Sequence, residues 1–102
     1  MLDRQASYEE ELAQHLASID ATMYGAYWCP HSARQRRPFG PASEQLPYTE
    51  CDPQGISQQS ERCLAAGIWA YPTWEINGQL HEGVRSPKQL AEISGFTYSA
   101  AP

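Results

Sequence analysis

The chain has 102 residues, 41% of them hydrophobic and 19% charged, which describes a single globular domain large enough to bury one core. Its net charge of −5 argues against nucleic acid as a principal partner, and no apolar run approaches the ~20 residues a membrane span requires. Met1-Leu2-Asp3-Arg4-Gln5 lacks the apolar core of a signal peptide, so the chain as given reads as cytosolic or as an excised piece of an exported or membrane-anchored protein.

Residues 1–6 read as a linker remnant. Ser7-Tyr8-Glu9-Glu10 is a capping box, a hydroxyl N-cap with a glutamate three residues later. The helix it opens places Leu12, Leu16 and Ile19, with Ala13 and Ala17, at helical spacing and ends near Asp20. Residues 22–27 predict the first strand. This strand runs straight into Tyr27-Trp28-Cys29-Pro30-His31-Ser32, where a helix starts on a cysteine and extends to about position 39. A sulfur there faces unpaired backbone N–H groups and the positive end of the helix dipole. Both favour the thiolate, the form that attacks disulfides. Pro30 suits the first helical position, where a missing N–H costs nothing, and His31 adds positive charge whenever it is protonated.

Pro38-Phe39-Gly40-Pro41 breaks that helix. Residues 46–51 form a second short strand, with Pro47 at its start or at a sheet edge. Asp52-Pro53-Gln54-Gly55 is a turn, and residues 57–66 a helix closed by Gly67. Asn77-Gly78 between two β-like runs signals a hairpin. Ser86-Pro87-Lys88-Gln89 opens a last helix, with Leu90, Ala91 and Ile93 inward and Gly95 at its end. Residues 97–102 read as a flexible tail.

The order is a helix, a strand–helix–strand unit, a helix, a hairpin and a helix. A strand–helix–strand unit implies parallel strands joined by a right-handed crossover, and the hairpin adds antiparallel strands to the same sheet. The expected fold class is α/β, a mixed four-stranded sheet flanked by helices. With Cys29-Pro30-His31 at the first strand–helix junction and Tyr71-Pro72-Thr73 before the hairpin, this order resembles the thioredoxin fold across residues 7–96, with an extra N-terminal helix. The resemblance implies a cis peptide bond at Pro72 and a loop there that faces the active-site sulfur. It also implies that the Tyr71 backbone pairs with a substrate peptide as an added strand.

Further motifs narrow the resemblance. They include Tyr24-Gly25-Ala26-Tyr27-Trp28-Cys29-Pro30-His31, Pro47-Tyr48-Thr49-Glu50-Cys51, Cys63, Gly67-Ile68, Ile76-Asn77-Gly78 and Gly83-Val84-Arg85-Ser86. Together with Tyr71-Pro72-Thr73-Trp74 they resemble the thioredoxin-like domain fused to membrane-embedded vitamin K epoxide reductase homologues of cyanobacteria and plant plastids. The resemblance implies a protein disulfide oxidoreductase acting between substrate proteins and that membrane domain, with a quinone as terminal acceptor. The soluble domain itself would need no cofactor. It also implies a monomer in an extracytoplasmic compartment, periplasm or thylakoid lumen.

Within this frame Cys29 is the candidate nucleophile, and Pro30 and His31 belong to its motif. Trp28, Tyr71 and Pro72 are candidate substrate-facing residues. Cys51 and Cys63 stand 12 positions apart. They form either a structural disulfide, worth about 3 kcal/mol in the chain-entropy model, or a second redox pair relaying electrons to Cys29. The first reading is favoured and fits an oxidising compartment. Zinc is not indicated, since the three cysteines and three histidines show no ligand spacing.

Ser32 occupies the position of a resolving cysteine. Either a cysteine has been replaced there, so that mixed disulfides persist, or the chain is naturally monothiol. The dithiol-like surroundings favour replacement. In both cases Cys29 can form a mixed disulfide that no neighbouring thiol resolves, although Ser32 can donate a hydrogen bond to the thiolate. Two further functions fit the same residues: a monothiol, glutathione-dependent reductase of the glutaredoxin type, and a non-catalytic peptide-docking module. His15 and His81 are expected on the solvated surface. Trp69 and Trp74 are expected in packing or at the rim, and Arg34, Arg36 and Arg37 on a solvated helix face or steering an acidic partner.

Overall fold

The computed structural model describes residues 6–98. Helix α1 (Tyr8–Ser18) opens on the capping box: Ser7 Oγ accepts from the Glu10 N–H at 3.1 Å, and Glu10 Oε1 accepts from the Ser7 N–H at 3.0 Å. Its inner face buries Leu12, Ala13 and Leu16, while Ala17 is exposed. Strand β1 (Thr22–Gly25) leads to helix α2 (Pro30–Arg36), a 3₁₀ stretch (Arg37–Gln45) and strand β2 (Tyr48–Glu50). Helix α3 (Ser60–Ala65), the hairpin of β3 (Thr73–Ile76) and β4 (Gln79–Glu82), and helix α4 (Pro87–Ser94) complete the chain.

The strands lie in the order β2-β1-β3-β4. β1 and β2 run parallel, with Met23 opposite Tyr48, and β3 pairs antiparallel with both β1 and β4. Asn77 and Gly78 take φ of 52° and 80°, the left-handed pair that a two-residue hairpin turn needs to match strand twist. Side chains alternate across a strand, so Met23, Trp74 and Ile76 share one face. There they join Leu12 and Leu16 of α1, Phe39 of the 3₁₀ stretch and Leu90 of α4. Tyr24 points to the other face, where it packs with Ile68, Cys51 and Cys63 beside α3. A mixed four-stranded sheet between helices, with a helix added at the N-terminus, is the thioredoxin-like arrangement that the sequence implies.

Several boundaries differ from expectation. β1 stops at Gly25 instead of reaching position 27. The Cys29 N–H turns back to the Ala26 carbonyl (3.1 Å) and the Tyr27 N–H leaves the ladder for the Glu50 carboxylate (3.3 Å). α2 ends at Arg36, not near position 39, because Pro38 brings no N–H and Gly40 sits at φ 52° and ψ −132°. β2 is shorter than 46–51; Pro47 joins the ladder only through its carbonyl, which accepts from the Met23 N–H at 2.8 Å. α3 begins at Ser60, not position 57, since Ser57 is held at φ 55°, outside right-handed helical space.

His15 and His81 are half-buried, not solvated. His15 Nε2–H donates to the Ser94 carbonyl at 3.0 Å and its ring tilts against Phe96, which pins α1 to α4. The linker and tail readings fall on residues 1–5 and 99–102, outside the described residues, apart from Ala6, Thr97 and Tyr98. Tyr98 meets Tyr8 edge to face at 5.1 Å and donates its hydroxyl proton to the Ala6 carbonyl at 3.2 Å.

Candidate active site

β1 brings the chain to the end of the sheet and α2 carries it away, so the residue between them is held by both. Cys29 is the N-cap of α2, with extended backbone (φ −80°, ψ 122°) and Pro30 at the first helical position. Its side chain makes no capping hydrogen bond, which leaves the sulfur uncommitted to the first helical turn. Cys29 is a free thiol, only 7% exposed, and its Sγ lies 4.0 Å from the Tyr71 carbonyl oxygen. The Tyr71–Pro72 peptide bond is cis. Pro72 is anchored from behind, its carbonyl accepting from the Gly83 N–H at 2.8 Å.

Trp28 is exposed beside the thiol residue. Its indole N–H donates to Asp52 Oδ2 at 2.6 Å, and its ring meets Tyr71 edge to face at 6.2 Å. His31, in the first turn of α2, is exposed. Ser32 is 2% exposed, and its Oγ accepts from the Ala26 N–H at 3.3 Å. Behind it, a Cβ on Gly25 would sit 2.8 Å from Ser32 Oγ and 3.0 Å from the Tyr48 ring. Glycine at 25 is what lets α2 approach the strand end so closely.

The fold thus gathers Trp28, Cys29, Tyr71 and Pro72 at one end of the sheet, with Ser32 beneath. Cys51 and Cys63 form a disulfide joining the end of β2 to α3. It packs in the cluster of Tyr24 and Ile68, against which Tyr71 also rests. Trp69 is exposed at the rim, whereas Trp74 is wholly buried. Arg34 and Arg37 are exposed, and the Arg36 guanidinium lies 4.1 Å over the Tyr48 ring.

Two carboxylates that sequence reasoning passed over organise this end of the molecule. Glu50 is buried; it accepts from the Tyr48 hydroxyl (2.7 Å), the Tyr27 N–H (3.3 Å) and the Asp52 N–H (3.0 Å). It therefore joins the loop before Cys29 to the loop after β2, and Asp52 extends that link to Trp28. The signal available was a charged residue at the end of an otherwise uncharged strand.

Burial pushes the Tyr48 hydroxyl far above the ordinary tyrosine range; the hydrogen bond and charge of Glu50 add to this, and Arg36 offsets part of it. Tyr71 is raised in the same direction, first by burial and then by the charges of Asp52, Glu50 and Cys29. Above the tyrosine reference of ~10 the unfolded chain releases protons that the folded chain keeps. This stabilisation is fully present below that pH and is lost as pH rises through the folded value. Denaturant midpoints should fall on alkaline titration, less steeply in Tyr48→Phe. Equal slopes in the two proteins would assign the alkaline loss to other groups.

No family model matches the chain. The thiol-disulfide oxidoreductase LTO1 of Arabidopsis thaliana is 41% identical over 98 residues, which covers 92% of this chain and 26% of the plant protein. Nearly the whole of this thioredoxin-like domain is therefore similar to about a quarter of a plant thiol-disulfide oxidoreductase.

Proposed function

We propose that this chain is a thiol–disulfide oxidoreductase domain with Cys29 as its nucleophile. One observation carries the reading: with Cys51 and Cys63 bonded to each other, Cys29 is the remaining thiol, and it is held at a strand–helix junction against the Tyr71 carbonyl. The Cys29 thiolate attacks one sulfur of a substrate disulfide. A new S–S bond forms to Cys29, and the other substrate sulfur leaves as a thiolate and takes up a proton. Cys29 stands at the helix start with His31 in the first turn of α2. The Tyr71 backbone aligns the substrate as an added strand, and Trp28 and Pro72 wall its path. Ser32 offers no sulfur to attack the mixed disulfide, so this chain captures substrates and does not turn them over.

In this reading the substrates are proteins, and the electron acceptor is a membrane-embedded domain of the vitamin K epoxide reductase type. That domain reoxidises the site by disulfide exchange and holds the quinone; this domain needs no cofactor of its own. Support for this finer reading comes from the resemblance of the motifs, whereas the plant relative supports thiol–disulfide oxidoreductase chemistry alone. The Cys51–Cys63 disulfide supports an oxidising compartment, periplasm or thylakoid lumen.

Mixing the chain with a peptide disulfide and measuring intact mass tests the reading. A peptide adduct should appear on Cys29, reverse with reductant and be absent in Cys29→Ala. Non-covalent retention of the peptide, unchanged in Cys29→Ala, would sink it in favour of a docking module. An adduct formed with glutathione disulfide alone would point to the glutaredoxin type.

A further inference from the structure

We propose that Gln35 is a positioning residue that fixes the spacing between Cys29 and the substrate-facing Tyr71–Pro72 segment; this rests on the reading of Cys29 as the nucleophile. Gln35 lies in α2, six positions beyond Cys29, and its side chain is 0% exposed. Burying an amide is unfavourable unless its polar atoms are bonded, so a glutamine that only filled space would be better replaced by methionine or leucine. Here the amide is engaged at both ends. Oε1 accepts from Trp74 Nε1–H at 3.0 Å and from the Arg85 N–H at 2.8 Å, and Nε2 donates to the Arg85 carbonyl at 2.8 Å.

These partners lie in the elements that hold the far side of the site. Trp74 belongs to β3, two residues beyond Pro72. Arg85 follows β4, two residues beyond Gly83, whose N–H binds the Pro72 carbonyl at 2.8 Å. The bonds close a circuit from Cys29 along α2 to Gln35, across to Arg85, back through Gly83 to Pro72, and from the Tyr71 carbonyl over 4.0 Å to the sulfur. Apolar packing would press α2 against β3 without fixing its height or rotation, because that attraction has no direction. Hydrogen bonds weaken steeply with angle, and one amide gripping both polar groups of Arg85 fixes height and rotation together.

The experiment compares two reactions of Cys29 in the folded chain and in Gln35→Met and Gln35→Glu. Alkylation by iodoacetamide needs the thiolate alone, whereas mixed-disulfide formation with a peptide disulfide also needs the Tyr71 segment in place. In Gln35→Met the peptide rate should fall about tenfold relative to alkylation, within the ~100-fold that a 1 Å misplacement can cost. Gln35→Glu should stay near the parent ratio, since burial favours its neutral acid, which retains a carbonyl acceptor and an O–H donor. A ratio unchanged in Gln35→Met, with only the unfolding temperature lowered, would leave Gln35 a packing residue and overturn the proposal. If Gln35→Met does not fold, Trp74→Phe, which removes one donor to Oε1, must show the same selective loss, and an unchanged ratio there overturns the proposal equally. A parent chain that alkylates but forms no mixed disulfide would overturn the oxidoreductase reading itself.

Discussion

Ser32→Cys is expected to shorten the lifetime of a peptide mixed disulfide on Cys29 at least about a hundredfold, because the new thiol attacks the Cys29 sulfur, releases the peptide thiol and leaves a 29–32 disulfide. The basis is proximity. Well-oriented intramolecular reactions reach effective molarities of ~10⁵–10⁸ M, so even a poorly aligned neighbouring thiol outruns millimolar external reductant. Positions 29 and 32 are the N-cap and third residues of α2, the same interval across which Ser7 with Glu10 and Ser86 with Gln89 bond side chain to backbone at 3.0–3.1 Å and 2.9–3.1 Å. Room for the larger sulfur lies beside Gly25, which has no side chain to block it. The Ala26 N–H would keep a partner, though a weaker one, because thiol sulfur accepts at longer distance. Mixed-disulfide adducts on Cys29 should then become transient, and a disulfide between Cys29 and the new sulfur at position 32 should appear as the product. An adduct that persists unchanged, with position 32 fully alkylated after reduction, would show that the missing sulfur is not what limits its release.

The features legible in the sequence are those whose physics is local. The boxes at Ser7 and Ser86, the left-handed pair Asn77-Gly78 and the proline after Cys29 each state their geometry within four residues. The thiol's place at a strand–helix junction could be read for the same reason. What escaped depends on partners far away in the chain. Gln35 is a polar residue in a short helix until Trp74 and Arg85 close on it from 39 and 50 positions away. His15 looks solvated until Ser94 arrives from 79 positions away. Glu50 stands at the end of its strand, and nothing nearby shows that two loops will send their N–H groups to its carboxylate. The 3₁₀ stretch escaped for another reason: Pro38 and Gly40 mark where the helix must stop, but not that the chain keeps coiling more tightly beyond it.

Removing the Cys51–Cys63 disulfide, by Cys51→Ala with Cys63→Ala, should cost about 3 kcal/mol of stability, the chain-entropy value for a loop of this length. For a domain of this size that lowers the unfolding temperature by roughly 12–24 °C. Hydrogen bonds tether the start of the loop, but little apolar packing holds the rest: Ile56 is exposed, Ser57 is in a left-handed conformation, and the apolar cluster on this face is small, with the two cysteines among its four buried members. The variant also separates the two roles that the pair could have. A staple contributes stability and takes no part in electron transfer, so well below the lowered unfolding temperature Cys29 should still capture a peptide disulfide at close to the parent rate. A modest slowing would fit the staple, because Tyr71 rests on the cluster and Asp52, next to Cys51, holds Trp28. A relay predicts the reverse: little change in stability, and a parent protein in which reducing Cys29 partners drives thiols to appear at 51 and 63. Intact-mass thiol counting during such an exchange, read beside the unfolding temperature, decides between them. A variant that melts with the parent while the exchange pattern is lost would make the disulfide a redox centre and remove its structural role.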